Sequence, residues 1–191
     1  SQFILGLKIT PPYSLIKGTT DAQYAQMTTS EKYNLLEYHK WKFSGKVFTP
    51  LSADSKLVLM ARAEFGYLGH YNKNVKSPFE TFYMGGDGMS SYSSYSTEYI
   101  AMRGYQSGSL TPYDPATGRN MGYVYNKFTM ELRYPIALEQ NATIWALAFV
   151  EAGNCFADIR DYNPFKLKRS AGVGVRLFLP MFGLMGIDWG W

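Results

Sequence analysis

The feature that most constrains this chain is alternation. Seven runs set an apolar parity against a polar, small or charged one, as strands with two unlike faces do. Phe3, Leu5, Leu7 and Ile9 stand against Gln2, Gly6 and Lys8, and Trp41, Phe43 and Val47 against Lys40, Lys42, Ser44 and Lys46. Leu57, Leu59, Ala61, Ala63, Phe65 and Tyr67 oppose Arg62, Glu64 and Gly66. Phe128, Met130, Leu132 and Tyr134 oppose Thr129, Glu131 and Arg133. Ala171, Val173, Val175, Leu177 and Leu179 oppose Gly172, Gly174 and Arg176, and Met185, Ile187, Trp189 and Trp191 oppose Gly186, Asp188 and Gly190. One run is blurred: between Ala142 and Glu151 both parities are apolar until Glu151 itself. Each run approaches the roughly 9–11 residues with which a tilted strand crosses a bilayer.

Period-2 strands suit a soluble antiparallel sheet or a membrane barrel, and the connections choose between them. Pro11 to His39 is long, Thr49 to Lys56 short, His70 to Gly122 long, Pro135 to Asn141 short, Asn154 to Lys168 long, and Leu179 to Gly183 short. Outer-membrane barrels sort their loops this way, with long loops outside and tight turns on the periplasmic side. The apolar parity carries Trp41, Tyr67, Tyr134, Trp189 and Trp191 at its ends, where an aromatic girdle sits. The other parity carries Arg62, Glu64, Glu131, Arg133, Arg176 and Asp188, charges of both signs that suit a wet lumen. The expected fold is all-β: a portion of an antiparallel transmembrane β-barrel spanning residues 1–191. Seven strands cannot close a barrel that uses an even number, and an open edge in lipid costs several kcal/mol for each unpaired group. No signal peptide opens the sequence, so the chain is expected to be mature or part of a larger barrel.

Other classes find little support. No apolar run reaches the length of about 18 residues that a transmembrane helix needs. The net charge of +4 comes from scattered Lys and Arg, which gives no nucleic-acid patch. Cys155 is the only cysteine and His39 and His70 the only histidines; the thiol reads as inert. Asp158, Asp161 and Asn163 resemble a calcium loop, but a hydrated turn beside Pro164 accounts for them. Asn141-Ala142-Thr143 is a sequon on a short turn and carries no weight. Residues 29–38 have a helix-like start at Thr29 or Ser30, although a solvated excursion is the preferred reading. With no phosphate loop, triad or metal cluster, neither enzyme activity nor a cofactor is expected.

The longest connection, about 70–122, contains Met102-Arg103-Gly104-Tyr105, one cation between an apolar residue, a permissive glycine and an aromatic ring. Such a segment can thread inward and fix its position by charge. Together with Phe82-Tyr83-Met84-Gly85-Gly86, it resembles the sixth extracellular loop of the BamA family of outer-membrane assembly factors. That loop has a double-glycine element followed by a (V/I)RG(F/Y) tetrad. Phe149-Val150-Glu151-Ala152-Gly153-Asn154 resembles the family's following strand motif, and Ser170 to Val175 and Gly186 to Trp191 are similar to its penultimate strands.

The resemblance implies that the chain supplies about strands nine to fifteen of a sixteen-stranded barrel, with an inward-folding loop over 70–122. It implies a contact between Arg103 and the acid matched by Glu151, although Asp is frequent there and Val or Ile is usual at Met102. On physical grounds an inserted guanidinium offers that carboxylate a bidentate partner. Removing one member of a shielded pair is expected to cost about 3–5 kcal/mol. The implied activity is insertion of barrel proteins into the outer membrane without ATP or cofactor. The implied partners are nascent outer-membrane proteins, assembly-complex lipoproteins and outer-membrane lipid. A passive channel, a secretion-type relative, or an adhesion barrel using the tip Ser90-Ser91-Tyr92-Ser93-Ser94-Tyr95 are the alternatives.

Overall fold

Each alternating run becomes a strand. In the computed structural model, which describes residues 1–191 apart from 29–30, 33–35, 73–75, 88–95, 116 and 140–141, the main strands are β1 (Gln2–Ile9), β2 (His39–Pro50) and β3 (Val58–Gly69). Four short strands follow: β4 (Phe82–Met84), β5 (Glu98–Ile100), β6 (Tyr113–Asp114) and β7 (Arg119–Asn120). The wall resumes with β8 (Val124–Leu138), β9 (Thr143–Phe156), β10 (Lys168–Leu179) and β11 (Gly183–Gly190). The seven long strands form one sheet in the order β1-β2-β3-β8-β9-β10-β11, every neighbour antiparallel. It is an up-and-down meander that does not close on itself. Its connections alternate as the sequence suggests: residues 10–38, 70–123 and 157–167 at one end, 51–57, 139–142 and 180–182 at the other.

Register explains why the parities matter. Trp41 pairs with Tyr67, Phe43 with Phe65 and Ala63 with Phe128, so apolar side chains line up across strands on one face. That face is bare: Leu5 is 73% exposed, Ile187 81% and Trp189 75%. An apolar face this continuous suits hydrocarbon, not water. The blurred run is resolved by its neighbours. Leu147, Phe149 and Glu151 point inward and are buried, whereas Val150 points outward beside Met130 and Ala171. A register shift falls at Pro135/Ala137, where a residue without an amide hydrogen interrupts the ladder.

The inward face departs from the wet lumen expected of it. Near the long-loop end it is apolar, with Leu68, Tyr125 and Cys155 buried against Phe82, Met84, Ile100 and Met102 of the 70–123 segment. That segment is itself folded. β4 and β5 pair in parallel, with Tyr83 beside Tyr99, and Phe82 also bridges to Gly122. Phe82 meets Tyr125 edge to face at 4.7 Å. The main apolar core thus lies between the loop and the wall.

The first long connection carries ordered structure ahead of the 29–38 stretch. It contains α1 (Tyr13–Lys17) and α2 (Asp21–Gln26), neither read from the sequence. The buried Glu37 carboxylate accepts from the Ser14 amide and, at 2.6 Å, from its hydroxyl. Thr28 forms a capping box with Glu31: each side chain reaches the other's backbone amide. Thr29, Ser30 and the Ser90 to Tyr95 tip lie outside the described residues, as does Asn141 of the sequon.

Candidate functional site inside the sheet

The Met102 to Tyr105 tetrad is placed by backbone bonds before any side chain acts. Met102 donates its amide to the Gly86 carbonyl at 2.9 Å, and Gly86 donates to the Tyr105 carbonyl at 3.0 Å. The double glycine wraps the tetrad with φ of 124° at Gly85 and 79° at Gly86, a region that side chains disfavour. Met102 is fully buried in the loop core. Gly104 turns the chain at φ 85°, and a Cβ there would press on Ser170 and on the Trp191 backbone at 3.1 Å. Next to it the Tyr105 hydroxyl donates to the Arg169 carbonyl at 2.8 Å, pinning the turn to β10.

This geometry sends Arg103 into the wall. Its Nε and Nη2 both donate to Glu151 Oε1, at 3.1 and 2.8 Å, while its own backbone amide takes Glu151 Oε2 at 2.8 Å. Two guanidinium nitrogens thus share one carboxylate oxygen, and the other oxygen takes the backbone amide. Nη2 also reaches Glu131 Oε1 at 2.7 Å, and Nη1 lies 3.6 Å from Asp188. The guanidinium stacks 3.7 Å from the Phe149 ring centroid.

The wall contributes cations of its own. Lys127 Nζ lies 3.0 Å from Glu151 Oε1 and donates to the Ala101 carbonyl of the loop. Arg133 holds Glu131 Oε2, with its Nε at 2.9 Å, and Arg176 grips Asp188 with two bonds of 2.6 Å. Arg62 and Glu64 pair with each other at 2.6 Å and stay apart from the Arg103 cluster. Arg62 borders the same cavity, a space of about 600 Å³ that also touches Arg103, Glu131, Glu151, Arg176 and Asp188.

The sequence reading missed a second set of contacts on the other side of the loop. Lys40, buried on β2, lies 2.9 Å from Glu80 and 2.9 Å from Glu98, with its ammonium 4.7 Å from the Phe82 ring centroid. Lys42 adds 2.5 Å to Glu98, and Lys8 adds 3.1 Å to Glu80. Lys127 is a further residue that the sequence does not mark. A lysine among other charges on an inward parity carries no sign of a partner dozens of residues away, and the motif that contains Phe149 does not show that its ring lies under the guanidinium. The calcium-like loop is a 3-10 turn: Asp158 accepts from the Arg160 amide and pairs with Lys76 at 2.9 Å. Among the described residues no group of acids, histidines and cysteines is placed to hold a metal ion.

Residues 18–191 match the Omp85 superfamily domain. The chain belongs to the Omp85 superfamily. That membership makes it an outer-membrane β-barrel protein of a superfamily devoted to protein insertion and transport. Among solved structures, the chain is similar to the crystal structure of BamA from Haemophilus ducreyi lacking POTRA domains 1–3. The TM-score is 0.59 at 18% identity, over 81% of this chain and 31% of that one. At that identity the likeness is one of fold, and the chain spans about a third of the BamA chain it matches. No curated protein matches the chain in sequence.

Proposed function

We propose that this chain is part of the barrel of a BamA-like assembly factor, supplying about strands nine to fifteen of a sixteen-stranded barrel. The observation that carries this reading is the seat of Arg103 on Glu151, Glu131 and Phe149, in a loop that packs on the sheet's inward face. A diffusion pore needs an open lumen, whereas here a folded loop fills the long-loop end with apolar side chains. The segment 70–122 is then an inward-folding loop, with Arg103 and Glu151 as its latch. The work is strand templating. An edge strand elsewhere in the barrel pairs with the edge of an incoming strand, because unpaired backbone groups bind strongly in lipid. Neither ATP, cofactor nor catalytic residue takes part. The partners are nascent outer-membrane proteins, the lipoproteins of an assembly complex and the lipid of the cell outer membrane.

The test uses the parent protein in cells depleted of their own assembly factor. Arg103→Ala is expected to expose the loop to external protease and to lose most insertion of a reporter barrel protein. Full insertion with a protected loop would remove the latch from the mechanism. Conductance across a planar bilayer separates the porin reading, for which the parent would show steady open channels. Export of a soluble reporter without barrel insertion would instead mark a secretion-type relative.

A further inference from the structure

Every acid that Arg103 touches already has a cation of its own on the wall. Glu151 has Lys127 at 3.0 Å, Glu131 has Arg133 at 2.5 Å, and Asp188 has Arg176 at 2.6 Å. All six residues stand on β8, β9, β10 and β11, and none belongs to the loop. Three acids against three cations make a seat that is neutral before the loop arrives. We infer that Arg103 is a removable cation, and that Lys127 is the positioning residue that keeps Glu151 compensated whenever the loop tip leaves.

The atoms used by each partner support this. Arg133 binds Oε2 of Glu131 while Arg103 binds Oε1, so the wall pair survives the departure of Arg103 untouched. Lys127 shares Oε1 of Glu151 with Arg103, and Oε2 is the oxygen that loses its donor when the loop's backbone amide withdraws. Glu151 lines the adjoining cavity of about 600 Å³, which has room for water to replace that donor. Glu151 and Lys127 are both buried, with side chains 2% and 7% exposed, so a lone Glu151 would be strongly disfavoured there. A permanent lock would make Arg103 the sole counter-ion. This seat instead permits release and return, which is what a loop with an open and a closed state requires. Lys127 also donates to the Ala101 carbonyl, two residues before Arg103, so one ammonium marks the docking point and guards the acid.

The inference rests on the reading of residues 70–122 as a latched loop, and its test reads loop exposure and barrel integrity rather than insertion. The full parent protein is purified as R103A, K127M, R103A/K127M and R103A/K127M/E151Q. Protease cleavage within the loop and the temperature at which the folded band is lost on a gel are followed for each. R103A is expected to open the loop yet keep its folded band to within about 4 °C of the parent. K127M keeps the loop closed, since Arg103 still neutralises Glu151. The double variant loses its folded band at a temperature lowered by more than the two single shifts combined, and E151Q restores the barrel without closing the loop. If the double variant does not fold at all, recovery of folding in the triple variant carries the same result. The inference fails if R103A alone is as unstable as the double, or if E151Q rescues nothing. Either failure leaves insertion by the parent protein standing.

Discussion

At the scale of single residues, the site separates what charge does from what shape does. Arg103 cannot be replaced by a lysine, because a single ammonium has no planar fork to span Glu131 and Glu151 while stacking on Phe149. Arg103→Lys is therefore expected to behave almost like Arg103→Ala in loop protection from protease. Loss of the guanidinium costs the docked loop about 2–3 kcal/mol, below the 3–5 kcal/mol of a stranded charge, because Lys127 stays beside Glu151. Gly104 tests shape alone. Gly104→Ala adds one methyl at φ 85°, which costs about 1–2 kcal/mol in backbone strain and pushes on Ser170 and Trp191 at 3.1 Å. The expected outcome is an open loop on an intact barrel, measured as protease cleavage without loss of the folded band. Unchanged loop protection in Gly104→Ala would mean that the tetrad is not seated against β10.

At the scale of elements, the loop is held on two sides, by Arg103 against β8 and β9 and by Lys40 against Glu80 and Glu98. Burial pushes the Glu80 and Glu98 carboxyls up, but bonds from Lys40 and Lys8, and from Lys42 and Lys40, outweigh it and hold both below their ordinary 4.5. Groups lowered in this way stabilise the folded state fully above the unfolded value. That contribution is lost as pH falls through the folded one. Hydrogen-exchange protection at β4 and β5, corrected for intrinsic rate, should therefore weaken as pH drops below about 4.5. Glu80→Gln with Glu98→Gln should flatten that dependence; a slope that persists in the double variant would place its origin elsewhere. The sequence made the strands legible because a period of two survives any context, and it made the tetrad legible because its residue types are distinctive. It hid the Lys40 clamp, since Lys40 and Glu80 lie 40 residues apart and the alternation that places Lys40 on the inward parity names no partner for it. It also hid the apolar end of the lumen: Leu68 and Tyr125 sit on the inward parity, and only a loop folded back over them makes that burial sensible.

At the scale of the molecule, one fact organises the rest: the sheet buries its charges and bares its aliphatic side chains. Lys40 and Glu151 are almost inaccessible, while Phe3, Leu5, Ile187 and Trp189 are open. In water that arrangement would be inside out, with the hydrophobic effect opposing it along every strand. In a bilayer it is the stable one, since lipid covers the apolar face and the loop satisfies the charges within. The tryptophans divide along the same line and make the claim measurable. Trp189 stands on the outward parity of β11 and is 75% exposed. Trp145 stands on β9 in register with the inward Arg176, and its indole nitrogen is buried. Parent protein reduced to one tryptophan at a time and reconstituted with phospholipid brominated along its acyl chains should show strong quenching of Trp189 and little of Trp145. Trp41, outward on β2 near the long-loop end, should be quenched most by bromine placed high on the chain, close to the headgroup. Equal quenching at Trp189 and Trp145 would show that the two faces do not meet different solvents, and would remove the physical basis for reading this sheet as a membrane wall.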